Sequence, residues 1–268
     1  MSGTPSADPA PAGRLGISGL TVCFGSRQVV SIDELRLDHG EIVGLAGESG
    51  SGKSMTTLAI LGLAHTVGAS VTGSITLDGV ELTGLPEDKL RAIRGRRIAA
   101  IFQSPSTAFN PVYRVGSIVT KALRLHGATK SEAPDRAAEA MRQVLLPPDL
   151  MRRYPSQLSG GQLQRVAIAL AIALRADILL ADEPTSALDV TVQAEVLDLL
   201  RDLRESIGMS ILFISHDLAV VAELCDRVAV MRHGLIVEQG PARDVLSAPA
   251  DPYTAELLES VPKLASQP

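Results

Sequence analysis

"EIVGLAGESGSGKSMTTLAILGL", Glu41 to Leu63, decides the fold. It opens on a short apolar run and ends on residues at helical spacing, with Met55, Leu58 and Ala59 at i, i+3 and i+4. Between them lies a loop punctuated by glycine. The order is therefore buried strand, tight loop, helix. The loop "GESGSGKS", Gly47 to Ser54, has Gly, four residues, Gly, Lys, Ser, the pattern of a phosphate-binding loop. Gly47, Gly50 and Gly52 allow backbone N–H groups to turn inward on phosphate oxygens. Lys53 is placed to reach the outer phosphates, and the Ser54 hydroxyl to ligate Mg²⁺. The site this motif implies takes in Gly47, Glu48, Ser49, Gly50, Ser51, Gly52, Lys53, Ser54 and Met55.

A second strand completes such a site. "ILLADEP" runs four apolar residues, Ile178 to Ala181, into Asp182 and Glu183. Ligands of parallel sheets gather at the carboxyl ends of the strands. Asp182 is suited to hold Mg²⁺ through water, and Glu183 to take a proton from an attacking water. A third stretch, "LSGGQLQRVAIALAI" from Leu158 to Ile172, poses a problem. Gly160 and Gly161 open what otherwise reads as a helix, although glycine is a poor helix former. Such a pair serves either close approach of an anion to a helix N-terminus or close packing of two helices.

Outward from these stretches, strands and helices alternate, which predicts a parallel α/β core. "LTVCF" and "RQVVSI" within 15–37 predict a mostly antiparallel sheet, "GSITLDGVELTG" a hairpin turning at Asp78-Gly79, and "VAVMRHGLIVEQG" a final hairpin. Residues 85–165 read as mainly helical. The chain has 268 residues with 25 basic and 30 acidic side chains, a net charge of −5 that argues against a nucleic-acid partner. Two cysteines, Cys23 and Cys225, fit no metal pattern and no disulfide framework. No apolar run is long enough to span a bilayer. Residues 1–14, rich in Pro, Ala, Ser and Gly, read as a disordered tail without the apolar core of a signal peptide, and 263–268 as a loose end.

The phosphate loop, "LSGGQLQR", "LLADEP" and "FISHD", in that order, resemble the ATPase subunit of an ATP-binding-cassette transporter over residues 15–262. The resemblance implies an α/β P-loop core with a parallel sheet, an antiparallel β-subdomain and a helical subdomain over about 85–165. It implies ATP and Mg²⁺ as cofactors and a head-to-tail pair of ATPase domains. Ser159, Gly160, Gly161 and Gln162, with Asp189 of "SALD", would then face ATP held by the partner. Asp189 also reads as a helix N-cap. Phe24 matches the aromatic that stacks on adenine. Gln103 matches the glutamine that senses Mg²⁺ and water, and His216 the histidine that grips the γ-phosphate. The implied catalytic set is Lys53, Gln103, Glu183 and His216, with Ser54, Gln103 and Asp182 toward the metal.

Two stretches are similar to the peptide and nickel importer group. One is "FQSPSTAFNPVYRVG", and the other is "SAPADPYTAELLESVP" within a C-terminal segment over 241–262. Where that group has His before Pro-Tyr-Thr, this chain has Asp251. The resemblance implies two membrane permease subunits, a second ATPase of the same or a related chain, an extracytoplasmic binding protein, and a peripheral place on the cytoplasmic face of the membrane. The permease docking surface is expected near 103–115. With no cysteine after Cys225, an iron–sulfur tail is not expected. A soluble mechanical ATPase of the same superfamily is the alternative. Such proteins usually carry two cassettes or a long coiled coil, and this sequence has neither.

Overall fold

In the central strands, successive side chains go to opposite sides of a sheet that is covered on both. In β3 (Ile42–Ala46), Ile42 and Ala46 enter one hydrophobic core while Val43 and Leu45 enter another. In β7 (Ile178–Asp182), Leu179 and Ala181 face the first core, and Ile178 and Leu180 the second. β8 (Ser210–Ser215) divides in the same way, with Ile211 and Phe213 against Leu212 and Ile214. This is why these stretches read as unbroken apolar runs. The structure is a computed structural model that describes residues 13–103, 108–186 and 188–260. The expectations for residues 1–12, for 104–107 of the Asn-Pro stretch, for Ala187 in "SALD" and for 261–268 lie outside the described residues.

The remaining strands are β1 (Leu15–Phe24), β2 (Arg27–Leu37), β4 (Ser70–Leu77), β5 (Val80–Glu81), β6 (Ile98–Ile101), β9 (Arg227–Arg232) and β10 (Leu235–Pro241). Among the described residues they form one ten-stranded sheet in the order β5-β4-β1-β2-β10-β9-β3-β8-β7-β6. The β9-β3-β8-β7-β6 part is parallel, and β5-β4-β1-β2 is antiparallel. β10 joins them, pairing antiparallel with β9 and touching β2 through Leu235 and Ser31. The expected antiparallel sheet is thus continuous with the core sheet. The β4–β5 turn falls at Asp78 and Gly79, both with positive φ, as a two-residue hairpin demands.

The described α-helices include α1 (Lys53–Ile60), α2 (Glu87–Ile93), α3 (Val115–Leu125), α4 (Glu132–Gln143), α5 (Gly160–Leu174), α6 (Val190–Ile207), α7 (Leu218–Leu224), α8 (Ala242–Ser247) and α9 (Pro252–Ser260). α3, α4 and α5 share a core with one face of the sheet, through Val115, Val119, Leu123, Ala137 and Met141. No described helix is long and apolar enough to cross a membrane.

Three expectations need correction. The reading of 85–165 as mainly helical passes over β6, which pairs parallel with β7 and is part of the core sheet. Four residues are too few to show a period. In α1 the buried face is Thr56, Thr57, Ala59 and Ile60, so Met55 and Leu58 stay half-exposed. Arg14, assigned to the tail by composition, is held: its guanidinium donates to Asp177 O at 3.0 Å and to His39 Nδ1 at 2.9 Å.

Candidate active site

Because β3, β8, β7 and β6 are parallel neighbours, their carboxyl ends lie in a row at one edge. The phosphate loop leaves β3, His216 follows β8, Asp182 ends β7 with Glu183 just beyond it, and Gln103 follows β6. Four segments far apart in sequence are therefore adjacent by topology alone.

The loop turns through positive φ at Gly47, Gly50 and Gly52. At Gly47 a β-carbon would stand 2.2 Å from Met231 O, so that position admits glycine alone. Lys53 is buried, and its Nζ donates to Gly47 O at 2.7 Å and to Glu48 O at 2.8 Å. Burial holds its ammonium below the usual lysine pKa, and the carboxylates of Glu183, Asp182 and Glu48 oppose that shift. Asp182 is buried as well. Burial raises its carboxyl, while a hydrogen bond from the Ser54 hydroxyl acts the other way. A buried ammonium and a buried carboxylate, each short of full compensation, are primed for ionic company.

Glu183 sits just past the strand with φ 49°, a left-handed conformation uncommon for a side-chain-bearing residue and frequent at functional turns. Its N–H donates to Ile214 O at 2.9 Å, which fixes the turn. One carboxylate oxygen accepts from Gln103 Nε2 at 2.6 Å, and the other lies 3.0 Å from His216 Nδ1. The expected set of Lys53, Gln103, Glu183 and His216 is brought together. Phe24 is 38% exposed on the same cleft.

The cleft measures about 630 Å³, within the range of small-molecule sites. Phe24, Val29, Met55 and Leu257 line it with apolar surface, and Ser49, Lys53, Ser54, Gln103, Glu183 and His216 with polar groups. Val29 and Leu257 are not legible as site residues from sequence. Leu257 reads as part of an amphipathic C-terminal helix, and nothing local ties it to the loop. Among the described residues, no cluster of three or more His, Cys, Asp or Glu could hold a metal by itself. The Ser54 hydroxyl and Asp182 carboxylate are hard oxygen donors that suit Mg²⁺ provided a ligand supplies further oxygens.

Ser159, Gly160, Gly161 and Gln162 stand apart from this cleft's lining. Ser159 caps α5: its hydroxyl accepts from Gln162 N at 3.2 Å, and the Gln162 side chain accepts from Ser159 N at 3.0 Å. The two glycines differ. A β-carbon on Gly161 would meet Val192 Cγ1 of α6 at 2.3 Å, whereas one on Gly160 would find nothing closer than 3.8 Å. Gly161 lets two helices pack, and Gly160 is left open at an exposed helix N-terminus. Asp189 caps α6, accepting from Val192 N at 3.0 Å.

Known proteins resemble this chain over most of its length. The family described as ABC transporter matches residues 30–186. A Brucella melitensis protein named for peptide import and ATP binding is 45% identical over 264 residues, covering 93% of this chain and 78% of that protein. The oligopeptide transport ATP-binding protein OppD of Salmonella typhimurium is 43% identical, covering all of this chain and 82% of OppD. Among solved structures, the dimeric ATP-binding cassette MJ0796 bound to ADP and Pi superposes with a TM-score of 0.75 at 29% identity, over 85% of this chain and 99% of that one.

Proposed function

Since the chain belongs to the ATP-binding-cassette transporter family, we propose that it is the ATP-hydrolysing subunit of a membrane importer for peptides. It works at the cytoplasmic face of the membrane with a second ATPase, two permease subunits and an extracytoplasmic binding protein. The observation that carries the reading is Glu183, suspended between Gln103 and His216 beside the buried Lys53. The peptide class rests on the names of the relatives.

ATP lies with its base toward Phe24 and its phosphates in the loop from Gly47 to Ser54. Lys53 gives charge to the outer phosphates in exchange for its present carbonyl contacts. Ser54 and Asp182 would hold Mg²⁺ together with the nucleotide, and it would supply further positive charge. Glu183 takes a proton from the attacking water. Each of its oxygens accepts one hydrogen bond and retains a free lone pair for that proton. Gln103 and His216 orient the carboxylate and the water. The open N-terminus of α5 at Ser159 and Gly160 faces the partner's phosphates, where its N–H groups and dipole favour negative charge.

Phe102, Val112 and Tyr113, with nearby Tyr154, are exposed and form the apolar surface for the permease. The test is phosphate release by the purified chain and ATP-driven peptide uptake by vesicles carrying the assembled complex. Glu183→Gln lowers hydrolysis by about 10²- to 10⁴-fold while ATP still binds. Turnover within about twofold of the parent would remove Glu183 from this role.

A further inference from the structure

The C-terminal helix α9 is tied to the phosphate loop by a contact that the catalytic scheme does not use. The N–H of Glu48 donates to the Tyr253 hydroxyl at 3.2 Å, across 205 residues. The Tyr253 ring is buried, and the Arg232 guanidinium lies over it at 4.4 Å from the centroid. The helix start is fixed twice more. Asp251, the residue that departs from the importer pattern, caps it by accepting from Tyr253 N at 2.8 Å. The Glu238 carboxylate on β10 accepts from Ala250 N at 2.8 Å and Asp251 N at 3.1 Å. One turn beyond Tyr253, Leu257 lines the cleft together with Phe24 and Val29. Leu257 is half-buried and packed against the core behind it.

Resting on the reading of this cleft as an ATP site, we infer that α9 is a wall of the nucleotide pocket, with Leu257 giving the base a second apolar contact besides Phe24. The chemistry of the lining supports this division. The charged groups gather at the loop and strand ends, and the apolar ones come from β1, β2 and α9, with Met55 added from α1. A purine joined to a phosphate chain has the same two-part character. Tyr253 is then a positioning residue that sets α9 at a fixed height over the loop. Leu257 adds affinity through buried apolar area, without discriminating one purine from another.

The test titrates ATP and inorganic tripolyphosphate into the full chain and its Leu257→Ala and Leu257→Glu variants, with Phe24→Ala for comparison. Leu257→Ala weakens ATP binding about five- to tenfold and leaves tripolyphosphate within about twofold, and Leu257→Glu weakens ATP further. Unchanged ATP affinity in both variants overturns the inference. So does an equal loss for ATP and tripolyphosphate, which would mean that the loop itself had been disturbed. A parent chain that binds no ATP at all overturns the ATP-site reading instead, and Phe24→Ala weakening ATP while Leu257→Ala does not overturns only the role of α9.

Discussion

The phosphate loop and the start of α5 are both glycine-rich anion motifs, yet they are finished to different degrees. Around the loop, the reactive side chains have company within the chain: Lys53 holds two carbonyls, and Glu183 is held by Gln103 and His216. At the start of α5 the polar groups are spent on the helix itself, through the Ser159–Gln162 capping box, and the remaining surface at Gly160 is bare. The first region is a site. On the proposed reading the second is half of one, completed by another molecule, and such a chain would bind nucleotide alone and complete catalysis in a pair.

The largest expected effect comes from mixing two inactive proteins. In a head-to-tail pair, Gly160→Asp sets a carboxylate against the partner's phosphates, so it damages the partner's site, while Lys53→Ala damages its own. A pair of chains carrying the same lesion has no intact site. Mixing the two variants puts both lesions on one composite site and leaves the other whole, so phosphate release returns on mixing. Chains that carry both lesions stay inactive in any mixture. Failure of the mixture to recover would place Gly160 at its own chain's loop and end the comparison.

A smaller effect separates the two glycines. Gly161→Ala forces a β-carbon into Val192 and lowers stability by about 1–3 kcal/mol, as overpacking does. Gly160→Ala meets open space and shifts stability by less than about 0.5 kcal/mol. Thermal denaturation of the two variants reads this directly, and equal melting temperatures would contradict the division of roles.

The smallest expected effect concerns how α9 is held to the wired region. Burial acts to raise the Glu238 carboxyl, but backbone donors from Ala250 and Asp251 outweigh it and hold the group below its usual 4.5. A depressed folded pKa means that the contribution is present above about 4.5 and is lost as pH falls through the lower folded value. Melting curves between pH 3 and about 6 should show the parent losing more stability on acidification than Glu238→Gln. Parallel curves would show that Glu238 contributes nothing to anchoring α9.

Much of this was legible in the sequence because it is local. A glycine pattern sets which backbone turns are possible at Gly47 to Gly52. Apolar runs such as Ile178 to Ala181 announce strands covered on both faces, and Asp189 announces a helix start. Even the candidate residues at strand ends follow from parallel order, since strand ends share an edge. β6 carries no usable period in four residues, and composition says nothing about the single hydrogen bonds that hold Arg14.

The phosphate loop, the strands that deliver Asp182, Glu183 and His216, and the cap of α6 are therefore written in local sequence. Each depends on neighbours within a few residues, where backbone geometry and side-chain chemistry are coupled directly. Only the tertiary structure decided that Gly161 packs against Val192 while Gly160 stays open, that Gln103 and His216 grip opposite oxygens of Glu183, and that Tyr253 reaches the loop at Glu48. Those contacts join segments tens to hundreds of residues apart. They are fixed by sheet order and by the height at which helices pack, and no periodicity within one segment records the position of another.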